Sequence, residues 1–242
     1  MANTAIQLYS LRNVDLAFDE LLGRVADAGF DGVEFAYRVV DEDPEAVAET
    51  IDEVGLDVAG AHVPIDSLET SFDETIAFYE TLGCDNIVIP SLPQDAFTSR
   101  DAIVEAVERL AALEPRVTDR GHAFHYHNHH WEFTPIDGTT GFDIFLEESD
   151  VNVEIDVGLA LLGGDDPVAR IRNVGDRCRL LHLKDVNVEE GTSTPLGHGD
   201  LDIAACTSAF SDVDGEWLIY EFEGEDPLAS LGETAAEMRS LV

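Results

Sequence analysis

Few side chains in this sequence are equipped for chemistry, and those that are recur at two-residue spacing inside short apolar runs. HYHNHH carries His125, His127 and His129; EID ends on Asp156; HLK sets His182 two residues before Lys184; and YEFE holds Glu221. Lys184 is the sole lysine among 13 basic residues, against 51 acidic ones, and it sits within the apolar hexapeptide LLHLKD. Carboxylates and neutral imidazoles brought together can hold a divalent cation: two carboxylates cancel its charge, imidazole supplies nitrogen, and open positions take substrate oxygens. An imidazole titrating near neutrality, or a carboxylate tuned upward by burial, can take a proton from carbon. A compact ammonium with an adjustable pKa can donate to an oxyanion or protonate a departing hydroxyl, which guanidinium cannot copy.

Such residues act together only if a fold gathers them. Short β-rich runs recur about every 30 residues, each followed by helix-type spacing: TAIQLYS, DGVEFA, DVAGAHV, DNIVIP, AFHYHN, VNVEIDV, CRLLHLKDV and EWLIYEFE. LAFDELLGRVADAG and RDAIVEAVERLAALEPRV are two of the intervening helices, and Gly29, Gly55 and Gly83 close helices. Eight alternating units require parallel pairing with right-handed crossovers, which predicts a single α/β domain over residues 1–242, a closed (β/α)8 TIM barrel.

In a barrel one parity of each strand faces the helices and the other the lumen. Val151, Val153, Ile155 and Val157 alternate with Asn152, Glu154 and Asp156; Leu218, Tyr220 and Phe222 alternate with Glu221 and Glu223. His182 and Lys184 share the parity opposite Leu181 and Leu183. The polar set expected at the strand ends is Glu34, His62, His127, Asp156, His182, Lys184 and Glu221. A lysine there is dehydrated, and carboxylates or a ligand must satisfy it.

The formal net charge of -38 repels nucleic-acid phosphates and anionic membranes, so neither is an expected partner. The acids are spread along the chain, as in DEDPEAVAETIDE and EGEDP, which describes a solvated surface. An acidic, lysine-poor surface of this kind resembles that of halophilic proteins, whose salt-rich cytoplasm screens self-repulsion. No apolar run is long enough for a membrane span, and MANTAIQLYS lacks the layout of a signal peptide, so a cytoplasmic location is expected. Cys84, Cys178 and Cys206 are far apart and odd in number, and they read as small buried apolar residues.

Plainer roles exist for each candidate. Asp156, ahead of Gly158, has the place of a helix cap. His182 alone is compatible with a hydrogen-bonded core imidazole, and HYHNHH with a surface tract. Glu221, unpartnered in an apolar strand, would cost several kcal/mol or hold a proton, which argues for a partner cation. LGHGDLD, containing His198, could cradle a phosphate, but a turn with Asp200 or Asp202 capping the next helix explains it more simply. Arg12 is a further candidate anion contact.

Taken with IQLYSLR, GFDGVEFA, YHNHHWEF, EIDVGLALLGGDDP, HLKDV, GHGDLD and YEFEGEDPLASL, these residues give the chain an almost end-to-end resemblance to the sugar phosphate isomerase/epimerase family of xylose isomerase-like barrels. The resemblance implies one divalent metal, Mn, Zn, Mg or Co, held by a strand-five acid, a strand-six aspartate, a strand-seven histidine and a strand-eight glutamate. Asp156, His182 and Glu221 match three places. The fourth departs: where many relatives read E-N-H, this chain has His127-Asn128-His129, so His127 stands at the acid's place, with Glu132 as a substitute ligand or base.

The expected activity is isomerisation or epimerisation of a small sugar or keto-sugar by proton transfer beside a carbonyl, through a metal-stabilised enediolate. Glu221, His127, His129 and Glu132 are the candidate bases, Lys184 the donor to oxygen, and Glu34, His62, Glu132 and His198 the candidate substrate contacts. The alternative is a dehydratase of the inosose dehydratase type, toward which the strand-five histidine shifts weight. A barrel-type endonuclease would need a strand-four histidine, where this chain has Pro90, and a basic surface. A non-catalytic sugar-binding barrel would be indifferent to chelation. The expected partner is a small sugar or polyol, and a homo-oligomer is left open.

Overall fold

Eight strands that each carry an apolar outer face can bury it only under helices, and parallel pairing with helical crossovers does this on every side. In the computed structural model, which describes residues 2–225 and 227–242, the strands are β1 (Asn3–Gln7), β2 (Gly32–Phe35), β3 (Asp57–His62), β4 (Asn86–Ile89), β5 (Ala123–His127), β6 (Asn152–Asp156), β7 (Leu180–Leu183) and β8 (Trp217–Tyr220). Asp226, in the last motif above, lies outside the described residues. Each strand pairs in parallel with its sequence neighbours, and β8 closes on β1, giving the single (β/α)8 barrel expected.

The flanking helices follow from the apolar spacing. Phe18–Ala28, Pro44–Val54 and Arg100–Thr118 bury one face each, and the first two end on Gly29 and Gly55 in the left-handed conformation that a side chain disfavours. Period two sorts the strands. Ile6, Val33, Phe35, Leu181, Leu183 and Leu218 join the helix-facing core, each worth about 1.5–3 kcal/mol when fully buried. Ala5, Ala59, Val88, Leu180, Trp217 and Ile219 form a separate apolar plug. Polar lumen residues therefore lie towards the C-terminal ends, the usual place for barrel chemistry.

Several strands stop short of the runs read from sequence. β1 ends at Gln7 because the Gln7 amide oxygen accepts the Tyr9 N–H at 3.0 Å and starts a single 3-10 turn over Leu8–Leu11. Lys184 and Glu221 each follow the last residue of their strands, and His129 lies two beyond β5. They stand on the rim, free of strict parity. Gly158 permits a close approach there, since a Cβ would meet the Lys184 carbonyl oxygen at 2.3 Å. That contact brings Asp156 beside Lys184.

Candidate active site at the barrel mouth

Asp156 does two things at once. One oxygen caps the helix Val157–Leu162 by accepting the Leu159 N–H at 2.7 Å. The other, Oδ2, is buried without a hydrogen-bond partner among the described residues, 3.8 Å from His127 Nε2 and 4.0 Å from the Lys184 ammonium. Asn128 fixes its backbone, donating to the Asp156 carbonyl at 3.2 Å and accepting its N–H at 3.0 Å. Asn128 was not among the residues singled out from sequence. Its place between two mouth histidines is the only signal there.

His127 is oriented by Pro90. The Pro90 carbonyl can only accept, so at 3.2 Å it assigns the proton to His127 Nδ1 and leaves Nε2 as a free lone pair. Nε2 is buried and, among the described residues, without a partner. His182, fully buried, places Nδ1 3.0 Å from Glu221 Oε2. His127, Asp156, His182 and Glu221 offer ligand atoms all within 4.8 Å of one another. A lone-pair nitrogen and an orphaned carboxylate oxygen, converging on a second imidazole and carboxylate, are a donor set that fits a divalent cation.

A second polar layer lies beneath. Glu34 Oε2 accepts from the Gln7 amide at 2.6 Å and stands 2.6 Å from His182 Nε2. Glu154 Oε2 lies 2.8 Å from His62 Nε2 and 3.3 Å from His182 Nε2. His62 lines the mouth cavity; Glu34, read from sequence as a substrate contact, is fully buried and faces Gln7 and His182 instead. Glu154 was missed as a site residue, although it shares the lumen parity of Asp156. Burial, with Glu154 close by, pushes Glu34 up to about 7. Burial also acts to raise Glu154, but His182 and His62 outweigh it and hold that carboxyl well below its ordinary range.

Lys184 answers for its isolation in sequence. Only 3% exposed, its ammonium bonds Glu223, stands 3.7 Å from Glu221 and faces Asp156. Burial disfavours its charge, yet Glu221, Asp156 and Glu223 raise its pKa above the ordinary lysine value. Burial likewise opposes ionisation of Glu221, while Lys184 and His182 hold it far below the carboxylate range. At rest the pair is ammonium and carboxylate, the proton on Lys184 and not on Glu221.

The remaining candidates separate. His129 lines the cavity with its ring stacked on Trp131 at 4.2 Å, and burial beside His127 keeps it neutral. Glu132 is fully buried outside the four-residue donor set, accepts from the Tyr126 hydroxyl at 2.6 Å, and is pushed well above its ordinary value by burial. His198 is exposed and does not line the mouth. Its loop is tied down by Asp185, whose carboxylate accepts from Gly199 and Leu201 N–H at 2.8 and 3.2 Å. A carboxylate already occupies those donors, and Asp202 caps the next helix. Arg12 stacks on Tyr9 at 4.2 Å and lies 3.9 Å from Glu223. All three cysteines are buried free thiols.

The cavity above these groups measures about 900 Å³. His62, His127, His129, Lys184 and Glu221 line it together with Tyr9, Tyr37, Val40, Phe78 and Trp131. No helix among the described residues is long and apolar enough to cross a membrane.

The sequence profile of the family described as "Xylose isomerase-like TIM barrel" matches residues 22–241. An inosose dehydratase of Geobacillus kaustophilus is 23% identical over 267 aligned positions, spanning 91% of this chain and 84% of that protein. One from Lacticaseibacillus casei is 25% identical over 255 positions, spanning 88% and 84%. Among solved structures, a sugar phosphate isomerase/epimerase from Parabacteroides distasonis superposes with a TM-score of 0.83 at 22% identity, covering 98% of this chain and 93% of that one. At that identity the likeness speaks for the fold.

Proposed function

The chain belongs to the xylose isomerase-like TIM barrel family, and from that premise we propose that it eliminates water from a small polyhydroxylated ketone of inosose type. His127, Asp156, His182 and Glu221 would hold a divalent cation, which when bound supplies Lewis acidity to a substrate carbonyl. Glu221 takes the proton from the carbon beside that carbonyl. The C–H electron pair becomes the new C=C bond as the C–O bond one carbon further on breaks. Lys184 protonates the departing hydroxyl, which leaves as water.

The observation that carries this reading is the Lys184–Glu221 pair, acid and base 3.7 Å apart on one side of the mouth. Loss of a proton and a hydroxyl from the same face of a ring needs that arrangement. Epimerisation requires a second base on the opposite face, and His127, at the strand-five place, commits Nδ1 to Pro90 and turns Nε2 towards Asp156. The relatives named as dehydratases support this ordering, which puts elimination ahead of the isomerisation preferred from sequence. His129 and His62 line the cavity where substrate hydroxyls would lie.

The test is incubation of the metal-reconstituted protein with inososes and ketoses in deuterated water, followed by absorbance and NMR. A conjugated enone from an inosose is expected. Solvent deuterium in recovered or epimerised substrate, without eliminated product, would refute elimination and assign isomerisation.

A further inference from the structure

The lumen holds more negative charge than one dication answers. Glu34, Glu154, Asp156 and Glu221 are all buried carboxylates, and among the described residues Lys184 is the only ammonium against them, shared with Glu223. A cation held by the upper four residues meets Asp156 and Glu221. Glu34 and Glu154 remain as a second desolvated pair, which requires protons or a counter-cation.

The donors around that pair form a set of their own. His62, His127, Glu154 and His182 offer ligand atoms within 4.8 Å of one another. The three imidazole rings pack with centroids 4.7, 5.1 and 5.3 Å apart. Glu34 Oε2 lies 3.5 Å from His62 Nε2 and 2.6 Å from His182 Nε2. Two further atoms point to a ligand. Glu154 Oε1 and His127 Nε2 belong to buried side chains and lack hydrogen-bond partners among the described residues, and both residues belong to the set.

We propose that a second divalent cation binds one layer below the first, held by His62, Glu154 and His182 with Glu34 alongside. His182 is shared between the two positions as an imidazolate, its remaining N–H proton released to solvent on binding, with Nδ1 facing Glu221 and Nε2 facing Glu34 and Glu154. His127, with one free nitrogen, serves either ion but not both. Binding replaces the protons that join imidazole to carboxylate in this layer. Nitrogen-rich donors with one or two carboxylates select zinc, cobalt, nickel or copper over magnesium. The histidine at the strand-five place belongs to this argument, because it adds the third imidazole. Two dications and the Lys184 ammonium balance the four buried carboxylates and the shared imidazolate.

The experiment needs no substrate, so its outcome is independent of whether the protein is a dehydratase. Metal-free full-length protein is dialysed to equilibrium against Zn2+ with a weak competing chelator, so that surface carboxylates do not contribute, and zinc per chain is measured. Two equivalents are expected in the wild type, and one in either His62→Gln or Asp156→Asn. His62→Asn serves as a second variant if circular dichroism shows that Gln disturbs the fold. A single equivalent in the wild type, or two retained after either His62 substitution, would overturn the lower site.

Discussion

Replacing Lys184 with methionine removes the ammonium while keeping the length of the buried stem. Its nitrogen stands 3.7 Å from Glu221 and 4.0 Å from Asp156, and each contact is worth about 4 kcal/mol at the effective dielectric of a partly buried pair, before the desolvation of all partners is subtracted. Removing one partner of such a cluster typically costs about 3–5 kcal/mol, because the surviving carboxylates stay buried without their counter-charge. The sign with pH is fixed by the two shifts. Glu221 is depressed in the fold, so its contribution exists above its unfolded value of 4.5 and fades as pH falls. Lys184 is raised, so its contribution exists below 10.5 and fades only above that value. Urea unfolding of the metal-free proteins should therefore show the full deficit between about pH 6 and pH 9, shrinking in acid. Saturating divalent cation at one hundred times its dissociation constant returns about 2.7 kcal/mol to both proteins by mass action. A methionine variant within about 1 kcal/mol of the wild type at pH 8, or a deficit that grows in acid, would refute the assignment of Lys184 as counter-charge to these carboxylates.

Two substitutions separate roles that geometry assigns to single side chains. Asp156→Asn keeps an N-cap of equal quality for the Leu159 N–H but loses the charge of Oδ2; the melting temperature without metal should fall less than for Lys184→Met, because the ammonium keeps Glu221 and Glu223, while affinity for the upper cation measured by chelator competition falls at least tenfold, about 1.4 kcal/mol. A loss of fold without loss of affinity would make the aspartate a cap and nothing more. Glu132→Gln should leave turnover within a few-fold and flatten the stability profile, because a carboxyl raised by burial destabilises the fold progressively as pH climbs above 4.5. A collapse of activity with an unchanged melting temperature would instead make Glu132 a base.

The barrel, the eight strands in order, and the face taken by side chains inside those strands were legible in the sequence, because side-chain alternation is a local property with period two. His182 and Asp156 opposite their apolar neighbours were legible for that reason. Which lumen residues share a layer was not, since this depends on strand stagger and on closure between segments as far apart as Glu34 and His182, 148 positions in sequence. Glu34 was thus expected on substrate hydroxyls and is buried against Gln7 and His182, while Glu154 was passed over and meets two imidazoles. The rim residues Lys184, Glu221 and His129 leave strand geometry altogether, and only packing decides their direction. Tertiary structure also divided Asp156 between its helix and the site, one oxygen to each: a carboxylate has two acceptors, and nothing in a linear chain says where either will point.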